Sequence, residues 1–187
     1  IALFDCVMPV AGAEAFLVMR ETDAVAQGLP FAYIRSTIER HNAFAADPVQ
    51  TRGGWAVDID ELYTMAQAAP IDVDLVQTYD DYPVITMMQI EDLGFCEKGE
   101  APRFLRQREL TIDGDFPHNT SGGQLSAGQA GAAGGFLGLV EAIRQVTGMA
   151  GTTQVPAANL ALVSGFGMIN YDRGVCSGAV MISGEGS

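Results

Sequence analysis

The sequence predicts an α/β protein whose helices and strands pack in layers. Hydrophobic residues make up 48% of the 187 residues and charged residues only 18%, so the chain can bury a sizeable core. Apolar side chains recur with the period of a strand in some segments and with the period of a helix in others. The predicted order is two strands, a helix, a strand, two helices and two strands, which is typical of layered α/β folds.

The first third of the chain is predicted to hold strands and one loop. Residues 4–19 have the composition of buried β structure, interrupted by the small-residue stretch Pro-Val-Ala-Gly-Ala-Glu. Residues 31–40 alternate as a strand does. Residues 41–54 are rich in turn formers and are predicted to be a loop.

The middle of the chain is predicted to alternate between helix and strand. Residues 59–69 form a helix candidate, because apolar side chains recur there every three or four positions. Residues 73–81 form a strand that leads into a polar turn. Pro83 suits the first turn of a second helix, and Gly94 would end that helix.

A glycine-rich stretch, residues 119–135, dominates the last third of the chain. The segment before it, residues 95–117, is predicted to be a loop, and it carries four of the ten lysine and arginine residues. Two buried strands, residues 159–168 and 174–184, are predicted near the end of the sequence and are joined by a tight turn.

The glycine stretch runs into a predicted helix, residues 132–147, whose apolar stripe should face the core with Glu141 and Gln145 outside. Free backbone N–H groups at the start of a helix favour an anion. The phosphate-loop patterns GxxxxGK[ST] and GxGxxG are nevertheless absent. The stretch is therefore either a ligand-binding loop or a set of tight turns and close packing contacts.

Charge and cysteine content disfavour several classes of function. A net charge of −13 disfavours nucleic acids and anionic membrane surfaces as partners, because both require basic patches. Cys6, Cys96 and Cys176 are widely spaced, so we expect neither a disulfide framework nor a zinc site, and a reducing, cytoplasmic setting. No apolar run approaches the length of a membrane span, and no signal peptide is visible.

Four stretches, taken in order, resemble the C-terminal half of the thiolase superfamily, nearest the sterol-carrier-protein or lipid-transfer type. The most specific is NTSGGQLSAGQAGAAGG, which resembles the family's NxSGGxxSxGHPxGATG. The other three are FDCVMPVAGAEAFLVM, VQTYDDYP together with EDLGFCEKGE, and TTQVPAANLALVSGFG. Together they span nearly the whole chain.

This resemblance implies a five-layered α/β/α/β/α fold of two similar halves, usually assembled into tight dimers. Residues 1–55 would supply the last strands and connecting loop of the N-terminal half, and residues 56–187 the C-terminal thiolase-like domain. Because the chain starts abruptly, we expect a piece of a longer protein. None of the three cysteines matches the family's nucleophile, which would lie in the other half, so the chain alone is expected to be inactive.

Three positions depart from the thiolase pattern. Gln129 stands in place of the histidine of the GHP motif, and an amide donates a hydrogen bond but is no general base. Tyr79 stands where many lipid-transfer-type relatives have histidine. The late cysteine or asparagine of the family falls near Ser164 and Gly165. These departures disfavour ordinary Claisen thiolysis.

Some thiolase-like proteins lack the cysteine and histidine and cleave β-hydroxyacyl-CoA thioesters by retro-aldol chemistry, together with a small OB-fold partner. The reaction needs a base for the β-hydroxyl proton and donors for the enolate oxygen, without an acyl-enzyme. A tyrosine can be that base if its pKa is lowered from about 10. The candidate catalytic residues are therefore Tyr79, Gln129, Tyr171 and His118, with Asp80 as a weaker candidate.

The resemblance also implies a binding surface for the substrate. No separate cofactor is expected, because coenzyme A enters as part of the thioester. The residues expected to contact the acyl-CoA are Asn119, Gly122, Gly123, Gly128 and Gly131.

Two other interpretations remain open. A degenerate thiolase half could serve only for dimerisation or for docking an OB-fold partner, and altered GHP and late-cysteine positions are what such decay would produce. The glycine stretch could instead bind a nucleotide. Gln129→Ala and Tyr79→Phe separate catalysis from the first alternative, since a purely structural module would not depend on these side chains.

Expressed alone, the chain should self-associate or recruit a partner, because a layered thiolase-like fold buries its central helices between two halves. Light scattering of the purified chain checks this expectation. A stable monomer across the accessible concentration range would contradict it.

Overall fold

A four-stranded mixed sheet forms the centre of the molecule in the computed structural model, which describes residues 2–170 and 173–184. The strand order is β1-β4-β3-β2; the β1–β4 and β4–β3 pairs are antiparallel, and β3–β2 is parallel. The strands are β1 (Tyr33–His41), β2 (Leu75–Gln77), β3 (Leu160–Asn170) and β4 (Arg173–Ser183).

Six α-helices and several short 3-10 turns surround the sheet in the described residues. No helix there is both long and apolar enough to cross a membrane. The helices are α1 (Glu21–Gln27), α2 (Trp55–Ala66), α3 (Pro83–Asp92), α4 (Ala101–Arg106), α5 (Gly123–Ala127) and α6 (Leu137–Val146). A 3-10 turn, Gly131–Phe136, leads directly into α6.

Strand β3 contributes side chains to the cores on both faces of the sheet. Leu162 and Phe166 pack in the cluster that includes Trp55 and Leu62 of α2. The alternate residues Ala161 and Val163 pack in a second cluster with Ala142 and Val146 of α6. A strand covered on both faces is apolar on both sides, which is why its sequence lacks clear alternation.

The predicted α/β class is confirmed, and so are most of its elements. Strand β1 and the last two strands lie where the sequence predicts them, and α3 begins at Pro83. Helix α2 starts four residues earlier than predicted, and β2 is shorter than predicted. Helix α4 was predicted as loop, because a six-residue helix with two arginines shows no clear apolar period.

The predicted strands within residues 4–19 are not present. Beyond a 3-10 turn at Leu3–Asp5, this segment contains one isolated bridge, Pro9 to Gln129, and no strand. Its large apolar side chains are mostly exposed, Phe4 and Leu17 among them. A strand forms only against a hydrogen-bonding partner, and in the described residues no strand lies beside this segment.

The boundary between the two thiolase-like halves, placed between residues 55 and 56, stays a prediction. In the described structure, β1 lies on one side of it and pairs with β4 on the other, so both belong to one sheet.

Helix α6 is rotated relative to the prediction. Glu141 and Gln145 were expected outside, yet both are buried, while Phe136 just before the helix is exposed. Both polar side chains bond to Thr120: its Oγ1 donates to Glu141 Oε1 at 2.7 Å, and Gln145 Nε2 lies 3.3 Å from the same hydroxyl. Internal partners satisfy these polar groups, so the helix can bury its polar positions.

Leu162→Ala should lower the free energy of unfolding by about 2–5 kcal/mol, because it leaves a cavity at a side chain with 0% exposure. Denaturant unfolding measures the change. Ile71→Ala is the matched control, since Ile71 is 91% exposed and should tolerate truncation. Equal effects of the two substitutions would contradict the assignment of the core.

Candidate active site

The glycine-rich stretch is anchored on the end of β2 by Asn119. Its backbone N–H donates to Val76 O at 3.0 Å, and its Oδ1 accepts from the N–H of Thr78 at 2.9 Å. Asn119 itself has a φ of +45°, a conformation that asparagine tolerates better than most residues. The loop therefore continues the hydrogen bonding of the strand at the point where the strand ends.

Asp80 holds the next part of the loop. Its Oδ1 accepts from the N–H of Gln124 at 2.7 Å, and its Oδ2 accepts from the N–H of Leu125 at 3.3 Å, at the start of α5. A Cβ on Gly123 would fall 2.1 Å from Asp80 Oδ2, so glycine is required there. Burial raises the pKa of Asp80, although its backbone and side-chain hydrogen bonds oppose that shift. This weaker catalytic candidate serves as an anchor of the loop.

Tyr79 and Gln129 meet at the centre of the candidate site, where Gln129 Nε2 donates to the Tyr79 hydroxyl at 2.8 Å. The backbone of Gln129 is bonded on both sides to the N-terminal segment: its N–H donates to Met8 O at 2.9 Å, and its carbonyl accepts from Val10 N–H at 3.0 Å. Gly128 has a φ of +99°, and a Cβ there would lie 2.5 Å from a Val10 methyl group. The approach of the N-terminal segment thus depends on this glycine.

Gln89 of α3 fixes the backbone of Tyr79, although it was not among the residues predicted from the sequence. Its Nε2 donates to Tyr79 O at 2.6 Å, while its Oε1 accepts from Tyr79 N–H at 3.1 Å and from Ser164 Oγ at 2.7 Å. Gln89 is fully buried one turn beyond Ile85, on the face that packs in the core. A glutamine at a core-facing helical position was the signal available in the sequence. Ser164, at the family's late cysteine position, hydrogen-bonds to this support.

The Tyr79 hydroxyl is protonated at neutral pH. Its pKa is raised, first by burial and then by the negative charge of Asp81, while the Gln129 donor acts in the opposite direction. The prediction that Tyr79 is a base requires a lowered pKa, and that requirement is not met. Its oxygen accepts from Gln129, which leaves its own proton for an acceptor such as a substrate oxygen.

His118 lies apart from this pair. Its Nε2 is 2.8 Å from Thr78 Oγ1, its ring stacks on Phe116, and it forms no described hydrogen bond with Tyr79 or Gln129. Burial lowers the pKa of His118 to about 4, so the imidazole is neutral at pH 7. The fourth catalytic candidate, Tyr171, lies outside the described residues.

A cavity of about 10 Å³ lies beside Tyr79 and is lined by the anchored loop and the start of α6. Three oxygens around it are buried without a hydrogen-bond partner in the described residues. Its volume corresponds to about one water molecule. The three atoms are Gln77 Oε1, Ser121 Oγ and Gln124 Oε1.

The remaining glycines differ in what surrounds them. Gly122 has a φ of +97°, and a Cβ there would lie 3.0 Å from Ser126 Cβ, whereas Gly131 has a φ of +56° and open space. Tyr82 occupies the N-cap position of α3. Acyl-CoA binding by Asn119 and the four glycines stays a prediction.

The sequence matches the family described as Thiolase C-terminal domain-like over residues 36–176. It is 37% identical to an acetyl-CoA acetyltransferase of Methanothermobacter thermautotrophicus over 105 residues, 56% of this chain and 27% of that protein. It is 35% identical to a steroid side-chain-cleaving aldolase of Thermomonospora curvata over 108 residues, 58% of this chain and 27% of the aldolase.

The structure is similar to that of the Ltp2-ChsH2(DUF35) aldolase, with a TM-score of 0.72 and 26% sequence identity. The match covers 87% of this chain and 42% of that one. The chain thus spans about a quarter of the two curated relatives and less than half of the solved structure. The thiolase-like fold predicted from the sequence is confirmed.

The free energy of unfolding should fall by about 2 kcal/mol between pH 7 and pH 5 through His118 alone. Its pKa is lower in the folded chain than the ordinary 6.5, so its contribution is complete above 6.5 and is lost as the pH falls toward about 4. Denaturant unfolding at the two pH values measures the loss.

His118→Gln should reduce that pH dependence, and His41→Gln is the control, because His41 is exposed. A His118→Gln variant with the full wild-type pH dependence would contradict the assignment.

Proposed function

Because the chain belongs to the thiolase C-terminal domain-like family, we propose that the protein containing it acts on acyl-CoA thioesters and that this chain supplies part of the active site. Within that class we propose retro-aldol cleavage of a β-hydroxyacyl-CoA in preference to Claisen thiolysis. The chain alone lacks the rest of the site and is expected to be inactive.

The hydrogen bond from Gln129 Nε2 to the Tyr79 hydroxyl is the observation that carries this proposal. Gln129 occupies the position at which the family pattern has the histidine of GHP. Neither its amide nor the phenol of Tyr79 is a general base at neutral pH. Thiolysis needs a base to activate a thiol. A phenol O–H donor held in place by an amide instead suits the stabilisation of negative charge on a thioester oxygen.

In the proposed reaction, the β-hydroxyl loses its proton and the bond between Cα and Cβ breaks. A ketone or aldehyde leaves, and the electron pair of the broken bond passes into the thioester as an enolate. Tyr79 O–H donates to the enolate oxygen, with Gln129 holding the phenol in place. Protonation of Cα then yields the shortened acyl-CoA, so atoms and charge balance without an acyl-enzyme.

Asp81 is the residue of this chain that we propose as the proton acceptor for the β-hydroxyl. Its pKa is raised by burial and by the charge of Asp80, which makes it a stronger base than an exposed aspartate. It lies two residues from Tyr79, and its charge acts on the phenol. Asp80 is less suited to this role, because two backbone N–H groups occupy its carboxylate.

Two relatives support the reaction class and the assembly. One is named a steroid side-chain-cleaving aldolase, and the solved structure is named for two components, Ltp2 and ChsH2(DUF35). We propose that the complete protein likewise works with a second protein, of OB-fold type, and forms a homodimer. Coenzyme A enters as part of the substrate, and no further cofactor takes part.

The complete protein should release a ketone or aldehyde from a β-hydroxyacyl-CoA and should not cleave a β-ketoacyl-CoA with free CoA. Chromatography of the CoA products, together with carbonyl trapping, measures both reactions. Thiolysis products without any released carbonyl compound would contradict the proposal.

Tyr79→Phe should lower kcat/KM for this cleavage by about 10²–10³, because it removes one donor to the developing oxyanion. Tyr82→Phe is the matched control, since Tyr82 is partly exposed at the start of α3, and it should leave turnover unchanged. If neither Tyr79→Phe nor Gln129→Ala alters turnover, these side chains have no part in catalysis.

A further inference from the structure

We propose that Glu39, His41 and Cys176 form a binding site for a divalent transition-metal ion of the zinc class. The three side chains lie at the end of β1 and the start of β4, whereas Tyr79 follows β2 at the opposite edge of the sheet from β1. The proposal does not depend on the proposed reaction. It concerns a site that cysteine spacing along the sequence does not reveal, because strand pairing assembles it.

Strand register brings the three residues to one face of the sheet. His41 is paired directly with Cys176, and Glu39 lies two residues before His41, so all three project to the same side. Glu39 is paired with Gly178, which has no side chain to compete for this space.

The neighbouring residues point the other way. Arg40 bonds to Asp58 of α2, and Ser177 Oγ accepts from the backbone N–H of Gly54 just before that helix. The Glu39, His41 and Cys176 side chains therefore face away from α2.

The separations between the donor atoms suit one ion. His41 Nε2 lies 3.8 Å from Cys176 Sγ and 2.5 Å from Glu39 Oε1, and the donor atoms of all three residues lie within 4.8 Å of one another. Tetrahedral zinc with bonds of about 2.0–2.3 Å separates its ligand atoms by about 3.3–3.8 Å. The sulfur and nitrogen are already at that spacing. Glu39 needs a movement of about 1 Å, which its side chain, 69% exposed, permits.

The donor types select the class of metal. A thiolate and an imidazole suit zinc and similar transition metals, whereas magnesium and calcium prefer oxygen ligands alone. The side chain of His41 is 44% exposed, so solvent can supply a fourth ligand. The net charge of −13 favours the approach of a cation.

Binding has a defined proton balance. The Cys176 thiol loses one proton as sulfur bonds to the metal, and that proton passes to the buffer. Because a proton is released when the metal binds, apparent affinity should increase with pH. Only the ion and the proton are exchanged, without oxidant or reductant.

Cobalt(II) is the spectroscopic probe for this site, titrated into the reduced chain in the absence of chelators. One equivalent should produce a sulfur-to-cobalt charge-transfer band, and zinc should displace it. Cys176→Ser should abolish the band and weaken binding by at least about tenfold. Cys96→Ser and Cys6→Ser are the matched controls and should retain it.

A second measurement guards against misfolding of the Cys176 variant. In the wild-type chain, zinc should slow alkylation of Cys176 by iodoacetamide and leave Cys6, which is exposed, unaffected. Absence of the band at saturating cobalt, or a band that persists in Cys176→Ser, would overturn the proposal. Equal alkylation of Cys176 with and without zinc would also overturn it. The three residues would then be a hydrogen-bonded surface cluster that binds no metal.

Discussion

The candidate site depends on one constraint: β2 ends after three residues, and side chains take over the hydrogen bonding at that point. Asn119 continues the strand, Asp80 holds the N–H groups of α5, and Gln89 holds the backbone of Tyr79 on both its N–H and its carbonyl. A loop of small residues has few side chains with which to fix its own shape. Its geometry is therefore set by Asn119 at its own start and by the carboxylate of Asp80, which precedes it in the sequence. The loop positions Gln129 against Tyr79.

Burial has opposite consequences for the two kinds of titratable group in this region. It raises the pKa of Tyr79 and Asp81, and it lowers the pKa of His118. In each case burial favours the neutral form of the side chain over the charged form. The site at neutral pH thus offers an uncharged phenol and a carboxylate of increased basicity, while the uncharged imidazole of His118 lies apart from them. That combination differs from a thiol-activating site, in which an imidazole must accept a proton readily.

Much of the fold was predictable because its main elements are long and mostly apolar. Strand β1 follows from alternation, helix α3 from apolar spacing and Pro83, and the final two strands from nearly continuous apolar runs. Tyr79 and Gln129 were singled out from motif positions. What the sequence did not predict was how polar groups are shared between distant segments. Glu141 can be buried because Thr120 lies beside it and donates to its carboxylate. Helix amphipathicity alone does not predict that partner. The same limit applies to Gln89 and to the pairing of His41 with Cys176.

The position of β1 at the edge of the sheet has a consequence for solubility. It is nine residues long and, within the described residues, it has β4 as a neighbouring strand on one side and no strand on the other. Such an edge can recruit the same strand of another molecule and begin an ordered aggregate. Charged side chains at Arg35, Glu39 and Arg40 interrupt this strand, and identical strands stacked in register would bring like charges together. The edge thereby carries its own protection against growth into a continuous intermolecular sheet.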